Sequence, residues 1–488
     1  MTGIVGIVSQ ELANQQIYDS LLLLQHRGQD ATGIATDDGS RFHMYRARGQ
    51  VREAYRTRDM RTLLGNIGVG HVRGFTAGEA ASEEESQPYY VNAPYGLIMV
   101  HNGHLTNTRE LSAEMYNIDR RHLNTTSDTE ILLNVLANEL EDSVSGRGLE
   151  LTDDQVFEAV SRLHDRVEGS YSAIALISGH GLIAFRDPFG IRPLVLGRRE
   201  HASGRTEWIV ASESLVLESA GYELVRDVTP GEAILIAPDG EMISRQCAKQ
   251  STLVPCSFEY IYLARPDSVI SDIPVYDARL RLGDVLAEQI EQAVPSGAID
   301  VVMPIPDSAR PSAMEAAHRL GIAYREGFYK NRYIGRTFIM PGQTVRRKGV
   351  RQKLNAMGIE FKGKNVLIVD DSIVRGTTSL QIVEMARQAG AASVIFASAA
   401  PEVKHPHVYG INMPSRKELI AHGRSNDEIA RMIGADQLIY QSVEGMNRAI
   451  LAGQSAVTAL ENSCFTGEYI AGNVNDEYLR WVEANLDS

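Results

Sequence analysis

Hydrophobic residues follow two rhythms along this chain. In the first half, short apolar runs sit between Gly, Asp and Pro: Gly3–Val8, Gly96–Val100, Ala173–Ile177, Leu182–Phe185 and Trp208–Ala211. Runs of that length bounded by turn residues predict strands. Two segments there keep helical spacing instead. Ile17–Gln25 holds it until His26-Arg27-Gly28, and Glu130–Leu140 holds it behind Ser127-Asp128, a helix entry. The polar stretch Ala80–Gln87 predicts a loop. In the second half, Leu282, Val285, Leu286 and Ile290 mark one face of a helix ahead of a continuous apolar strand at Ile299–Met303. Another such strand, Asn365–Val369, leads through a Gly-containing turn into a helix over Leu380–Ala389. Gly390 ends that helix before a strand at Ser393–Ala397. Strand–helix–strand alternation predicts a parallel α/β domain.

The change of rhythm places a boundary between residues 235 and 265. The expected division is 1–240, 241–465 and a tail over 466–488 that is too short to be a domain. At roughly 100–200 residues per domain, 488 residues suit that division. Lys and Arg number 48 against 62 Asp and Glu, a net charge of −14, which argues against nucleic acid or an anionic membrane as partner. An anionic ligand then needs a local pocket. No apolar run approaches the roughly 18–20 residues of a bilayer span, and MTGIVGIVSQ lacks the basic region and cleavage site of a secretory signal. Cys247, Cys256 and Cys464 match no CxxC pattern and are too few for an iron–sulfur cluster. A reducing, cytoplasmic setting is expected.

The stretch VLIVDDSIVRGTT, Val366 to Thr378, concentrates chemistry. A buried-type strand ends in Asp370 and Asp371, then passes Ser372, Arg375, Gly376, Thr377, Thr378 and Ser379 into a helix. Ligands of open α/β sheets bind beyond the carboxyl ends of strands. Amides and hydroxyls at a helix start suit phosphate, and adjacent carboxylates suit sugar hydroxyls and a hard cation such as Mg²⁺. Asp-Asp alone could be a solvated pair; the whole string argues for a site. Upstream lies the strongest basic cluster of an acidic protein, with Lys330, Arg332, Arg336, Arg346, Arg347, Lys348, Arg351 and Lys353. It reads as a lid over a polyanion rather than a solvated basic face.

This string resembles the phosphoribosyl-pyrophosphate (PRPP) motif of type I phosphoribosyltransferases. The resemblance implies that Asp370 and Asp371 hold ribose hydroxyls, directly or through Mg²⁺, and that Arg375–Ser379 hold the 5′-phosphate. It also implies that Pro304–Arg310 receive pyrophosphate, with Ser308 at the metal, and that Lys330, Arg336 and Lys353 belong to the lid. In the first half, Gly3-Ile4-Val5-Gly6-Ile7, Leu24–Asp30, Gly70-His71-Val72-Arg73, His101-Asn102-Gly103 and Thr126-Ser127-Asp128 resemble the glutamine amidohydrolase domain of the N-terminal-nucleophile type. Taken together, through Gly467-Glu468-Tyr469, the chain is similar to the glutamine PRPP amidotransferase family, which opens purine synthesis by making 5-phosphoribosylamine. The resemblance implies an αββα sandwich followed by a phosphoribosyltransferase domain, a parallel sheet flanked by helices. It implies that Arg73 and Thr76 bind glutamine, Arg73 through the α-carboxylate. Asp128 would take the α-ammonium, and Asn102 with the Gly103 amide would form an oxyanion hole. A homo-oligomer, commonly a tetramer, and purine nucleotide effectors are implied as well. Singly, Arg73 could be a structural ion pair, Asn102-Gly103 a hairpin turn and Ser127-Asp128 a helix cap.

The family carries cysteine directly after the initiator methionine, where its thiol attacks the carboxamide. Here that position is Thr2, and no cysteine precedes Cys247. A hydroxyl has essentially no alkoxide near neutrality, although an N-terminal threonine can act with its own amine as base. Gly74-Phe75 replaces the family's aromatic-containing segment, and Ser308 stands where threonine is frequent. The expectation is a PRPP-using enzyme with glutamine hydrolysis lost or weakened and ammonia as nitrogen source. The alternatives are a paralogue that transfers phosphoribosyl to another amine and a non-catalytic regulator that binds PRPP or nucleotides.

Overall fold

The computed structural model describes residues 2–74, 85–144, 151–331, 354–413, 415–452 and 456–486. Two antiparallel sheets face one another in the first half. One runs Glu223–Asp227, Val195–Glu200, Thr206–Ala211, β1 (Thr2–Val8), β2 (Ile67–Arg73), Ala31–Asp37 and Phe42–Arg48. The other runs Tyr89–Val91, β3 (Leu97–Leu105), β4 (Gly169–Ile177), Gly181–Arg186, Glu232–Ile236 and Met242–Gln246. Ile4, Val69, Ile98, Val100 and Leu182 fill the space between them. Gly6 permits the close approach, since a Cβ there would come within 2.7 Å of Ile174.

Helices cover both outer faces. Helix α1 (Ala13–Leu23) lays Ile17 and Leu21 on the first sheet. Helices α2 (Asp128–Val144) and α3 (Asp153–Arg166) cover the second with Leu132, Leu136, Phe157 and Val160. The result is the expected αββα order. The sequence reading had two helical stretches here, and α3 is an addition to them. Its start is marked by Thr152 and Gln155, which cap each other's backbone; this signal lies outside the apolar face itself. Helix α1 also stops at Leu23, and Gln25–Arg27 form a separate 3₁₀ turn.

The second half has a parallel sheet ordered Ala323–Tyr324, β5 (Val301–Pro304), β6 (Asn365–Asp370), β7 (Ser393–Ser398) and β8 (Gln437–Tyr440). Helices α4 (Val275–Ala293) and α5 (Arg310–Leu320) pack on one face through Leu286, Ile290, Ala313 and Ala317. Helix α6 (Thr377–Gln388) packs on the other through Ile382, Val383 and Ala386. It starts three residues earlier than its apolar pattern predicts, so Thr377–Ser379 form a first helical turn instead of a loop. The tail is folded as α7 (Asp476–Leu486), which joins the two halves. The Asn473 amide donates to Glu168 at 3.1 Å, Arg109 stacks 5.4 Å from the Trp481 ring, and Arg416 donates to Glu483 at 2.8 Å. Among the described residues no helix is long and apolar enough to cross a membrane.

Burial has a pH consequence. It pushes the imidazoles of His71, His101, His164 and His407 down, His164 to about 4. An unfolded histidine titrates near 6.5, so below that pH the unfolded chain binds protons the folded one does not, and stability falls as pH falls. For His164 alone this amounts to about 2 kcal/mol at about pH 5. Asp187, raised to about 6 by burial, works the other way: its contribution is present at low pH and lost as pH rises through about 6. Asp370 and Asp371, also raised by burial, act in the same direction as Asp187, so the test isolates one imidazole: His164→Gln should lose less Tm than the parent between about pH 7.5 and about pH 5. An equal change in both proteins would contradict this.

Candidate active site

The register of β1 against β2 sets Thr2 opposite Arg73 at the open end of the first sheet. From the facing sheet, β3 brings Asn102 to the same end. Thr2 Oγ1 donates to Asn102 Oδ1 at 2.8 Å. The Asn102 amide nitrogen is buried and has no hydrogen-bond partner among the described residues, so a donor stands ready beside the Thr2 hydroxyl. Asn102 and Gly103 are not a hairpin turn. They pair with Ser172 and Tyr171 inside a continuous β3–β4 ladder. Gly103 takes φ 152°, and a Cβ there would meet the Ser170 carbonyl at 2.0 Å. Asp128 opens α2 and accepts from the Leu105 amide at 3.2 Å. Arg73 is buried, and its guanidinium donates to the Glu85 carbonyl and lies 3.9 Å from the Glu85 carboxylate. Thr76, with Phe75, lies outside the described residues, as does most of the loop expected at Ala80–Gln87.

Behind Thr2 lies a charge network that sequence reasoning did not find. Arg27 Nε donates to the Thr2 carbonyl at 3.0 Å, and its other nitrogens donate to Glu213 at 2.6 Å and Glu259 at 2.7 Å. All three side chains are buried. Burial alone would lower the guanidinium's pKa, but Glu259 and Glu213 raise it above its ordinary value. Arg27 belonged to a family string, whereas Glu213 and Glu259 sit in unremarkable sequence 46 residues apart (259 − 213). Only the fold joins them.

In the second half, β6 ends at Asp370. Both carboxyls of Asp370 and Asp371 are buried. Burial pushes Asp370 well up, with Asp371 adding repulsion, and burial raises Asp371 as well. Ser308, from the end of β5, donates to Asp371, as does Ser372 at 2.8 Å. No lysine or arginine forms an ion pair with either carboxylate among the described residues. Gly376 precedes α6 with φ 73°, where any Cβ would strike Ile420 at 2.2 Å. The first-turn amides of Thr377, Thr378 and Ser379 lack helical acceptors, as at any helix start. Arg375 pairs with Glu418 at 3.2 Å, and Lys330 with Asp307 at 2.6 Å. Arg336 and Lys353 lie outside the described residues, with the rest of 332–353.

One further cluster is buried. His407 Nε2 lies 3.0 Å from Glu461 Oε2 and 3.6 Å from Cys256 Sγ. His407 Nδ1 faces the amides of Tyr409 and Ile411 at 3.2 and 3.4 Å. Two donors fix Nδ1 as acceptor, so Nε2 carries the proton and gives it to Glu461. The ligand atoms converge within 4.8 Å, but the imidazole lone pair that a metal needs is committed. The cluster instead fixes a loop whose Gly410 abuts Gly103 and whose Tyr409 carbonyl accepts from Ser170 Oγ at 3.0 Å.

An αββα half with a hydroxyl at the end of its first strand, joined to a parallel sheet with a buried acidic pair, defines a glutamine amidotransferase–phosphoribosyltransferase type of enzyme. Residues 75–219 match the glutamine amidotransferase domain family and residues 275–408 the phosphoribosyl transferase domain family. The chain is 52% identical over 483 residues to the amidophosphoribosyltransferase of Pseudomonas aeruginosa, covering 99% of this chain and 95% of that protein. It is 53% identical over 485 residues to that of Haemophilus influenzae, covering 99% and 95%. The glutamine PRPP amidotransferase of B. subtilis, solved in complex with ADP and GMP, superposes with a TM-score of 0.83 at 37% identity, covering 97% of this chain and 98% of that one. The chain belongs to the amidophosphoribosyltransferase family.

Proposed function

We propose that the chain forms 5-phosphoribosylamine from PRPP, the opening step of purine synthesis, with ammonia as the better nitrogen donor and glutamine hydrolysis weakened by Thr2. The amidotransferase half spans 1–246, past the expected boundary at 240, because the strand Met242–Gln246 completes its sheet; the phosphoribosyltransferase half is 247–465 and the tail 466–488. Asp370 and Asp371 hold the ribose hydroxyls. The Arg375–Ser379 segment holds the 5′-phosphate through α6 amides and hydroxyls. Asp307, Ser308 and Arg310 border the pyrophosphate, and Lys330, Arg336 and Lys353 neutralise it. A buried acidic pair short of positive charge fits Mg²⁺, which Asp370, Asp371 and Ser308 would hold; bound there, it supplies charge neutralisation to the departing pyrophosphate. No iron–sulfur cluster enters this reading, because four thiolates are needed and the chain has three cysteines. In the first half, Arg73 and Thr76 take the glutamine carboxylate, Asp128 the ammonium, and Asn102 with the Gly103 amide the oxyanion. Purine nucleotides act as effectors, as ADP and GMP occupy the B. subtilis relative, on a cytoplasmic homo-oligomer.

The Thr2 hydroxyl beside the Asn102 amide, which has no partner among the described residues, carries this reading: the donor is in place, and the nucleophile is weak. The test is pyrophosphate release from PRPP with ammonium chloride and, separately, glutamine. Turnover with ammonium at mildly alkaline pH, and at least about tenfold less with glutamine, is the expected result. No turnover with ammonium would refute it.

A further inference from the structure

Gly103 sits where the two halves of the chain meet backbone to backbone. On one side the Ser170 carbonyl stands 2.0 Å from the place a Cβ would take. On another stands Gly410, from the loop His407–Ile411 of the phosphoribosyltransferase half. A Cβ on Gly410 would come within 2.9 Å of the Gly103 carbonyl and 3.0 Å of its Cα. Gly410 takes φ 96°, the left-handed region that favours glycine, so both the space and the backbone angle select glycine there. One residue earlier, the Tyr409 carbonyl accepts from Ser170 Oγ at 3.0 Å. Ser170 lies on β4, paired in the ladder with the residue that follows Gly103.

The loop is held from two directions. His407 Nδ1 accepts from the Tyr409 and Ile411 amides at 3.2 and 3.4 Å, and its Nε2 lies 3.0 Å from Glu461. The Tyr409 hydroxyl donates to the Ala471 carbonyl at 2.8 Å and accepts from the Ala471 amide at 2.9 Å. The next residue, Gly472, lies against the chain just past β3, where a Cβ would meet Thr106 Oγ1 at 2.0 Å. Loop and tail thus brace the end of β3 together. A glycine is the least constrained residue of a strand, and a donor displaced by about 1 Å can cost about 100-fold in rate. We infer that Gly410 is a positioning residue for the glutamine reaction, seating the Gly103 backbone so that its amide stays aimed at the developing oxyanion. This rests on the reading of Asn102 and the Gly103 amide as the oxyanion hole. The amidotransferase half then does not make its site alone: the other half supplies the wall behind one donor.

The experiment uses the full chain in a Thr2→Cys background and compares glutamate release from glutamine with pyrophosphate release from PRPP and ammonium chloride. Gly410→Ala sets a methyl against the Gly103 backbone. It should lower kcat for glutamate release about 100-fold, keep KM for glutamine within about twofold, and lower the ratio of the two activities by a similar factor. Ser170→Ala removes only the tie to the Tyr409 carbonyl and should lower the same kcat about fivefold, the scale of one hydrogen bond; it carries the test where Gly410→Ala does not fold. Unchanged kcat in Ser170→Ala, or in a folded Gly410→Ala, overturns the inference. So does a rise in KM with kcat intact, or an equal fall in both activities, which marks general damage. Where hydrolysis is too slow to measure, amide hydrogen exchange across 102–105 decides: it should speed about fivefold in Ser170→Ala, and equal exchange overturns the inference. Asn102→Ala separates the two levels. Loss of glutamate release supports the oxyanion assignment, and retained release overturns that assignment itself.

Discussion

Thr2→Cys should raise glutamine hydrolysis by about 100-fold or more, because a thiol is a few per cent thiolate near neutrality and a hydroxyl has essentially no alkoxide. The side chain at this position lies 2.8 Å from Asn102 Oδ1, beside an Asn102 amide nitrogen with no partner among the described residues. Arg27 fixes the backbone behind it through the Thr2 carbonyl. The change exchanges the hydroxyl for a thiol and removes the Cγ2 methyl, and it leaves the surrounding residues in place. Release of glutamate from glutamine is the measurement, made on protein whose first residue has been checked by mass. A rise confined to protein lacking Met1 would identify the α-amine as the base. An unchanged rate in such protein would move the defect away from Thr2, to Gly74-Phe75.

Asp370→Asn and Asp371→Asn should each lower ammonia-dependent PRPP turnover by about 10²–10³-fold, on the scale of losing one charged group aimed at a reacting centre. The same substitutions should stabilise the protein. Both carboxyls are pushed up by burial, so their ionised forms oppose folding, and that penalty grows as pH rises through the folded value. An amide removes the charge and keeps the shape. For Asp370→Asn a gain of about 1 kcal/mol near neutral pH is expected. Turnover and Tm moving in opposite directions would identify the pair as a binding device that folding tolerates. A fall in both would identify it as structural.

The PRPP half was legible because its chemistry is local. Asp370 to Ser379 run consecutively, and one strand end with one helix start places all of them. Apolar rhythm also located β1, β6 and α4. The glutamine half was less legible, because its site is assembled across two sheets. Nothing near Thr2 in sequence indicates Asn102, and nothing near Arg27 indicates Glu259. The chain reading left Asn102-Gly103 open to a turn because a Gly after Asn commonly bends a hairpin. Nine consecutive ladder pairs from Leu97 to Leu105 hold the segment straight instead.

The Arg27 network links the two halves in a way that cutting the chain would reveal. One of its two neutralising carboxylates, Glu259, belongs to sequence beyond the last amidotransferase strand. A fragment ending at Gln246 would keep an enclosed guanidinium with half its counter-charge missing, directly behind Thr2. Severing a compensated interior ion commonly costs about 3–5 kcal/mol. The two halves of this protein thus share one electrostatic junction, and dissecting them calls for point substitutions within an uncut polypeptide.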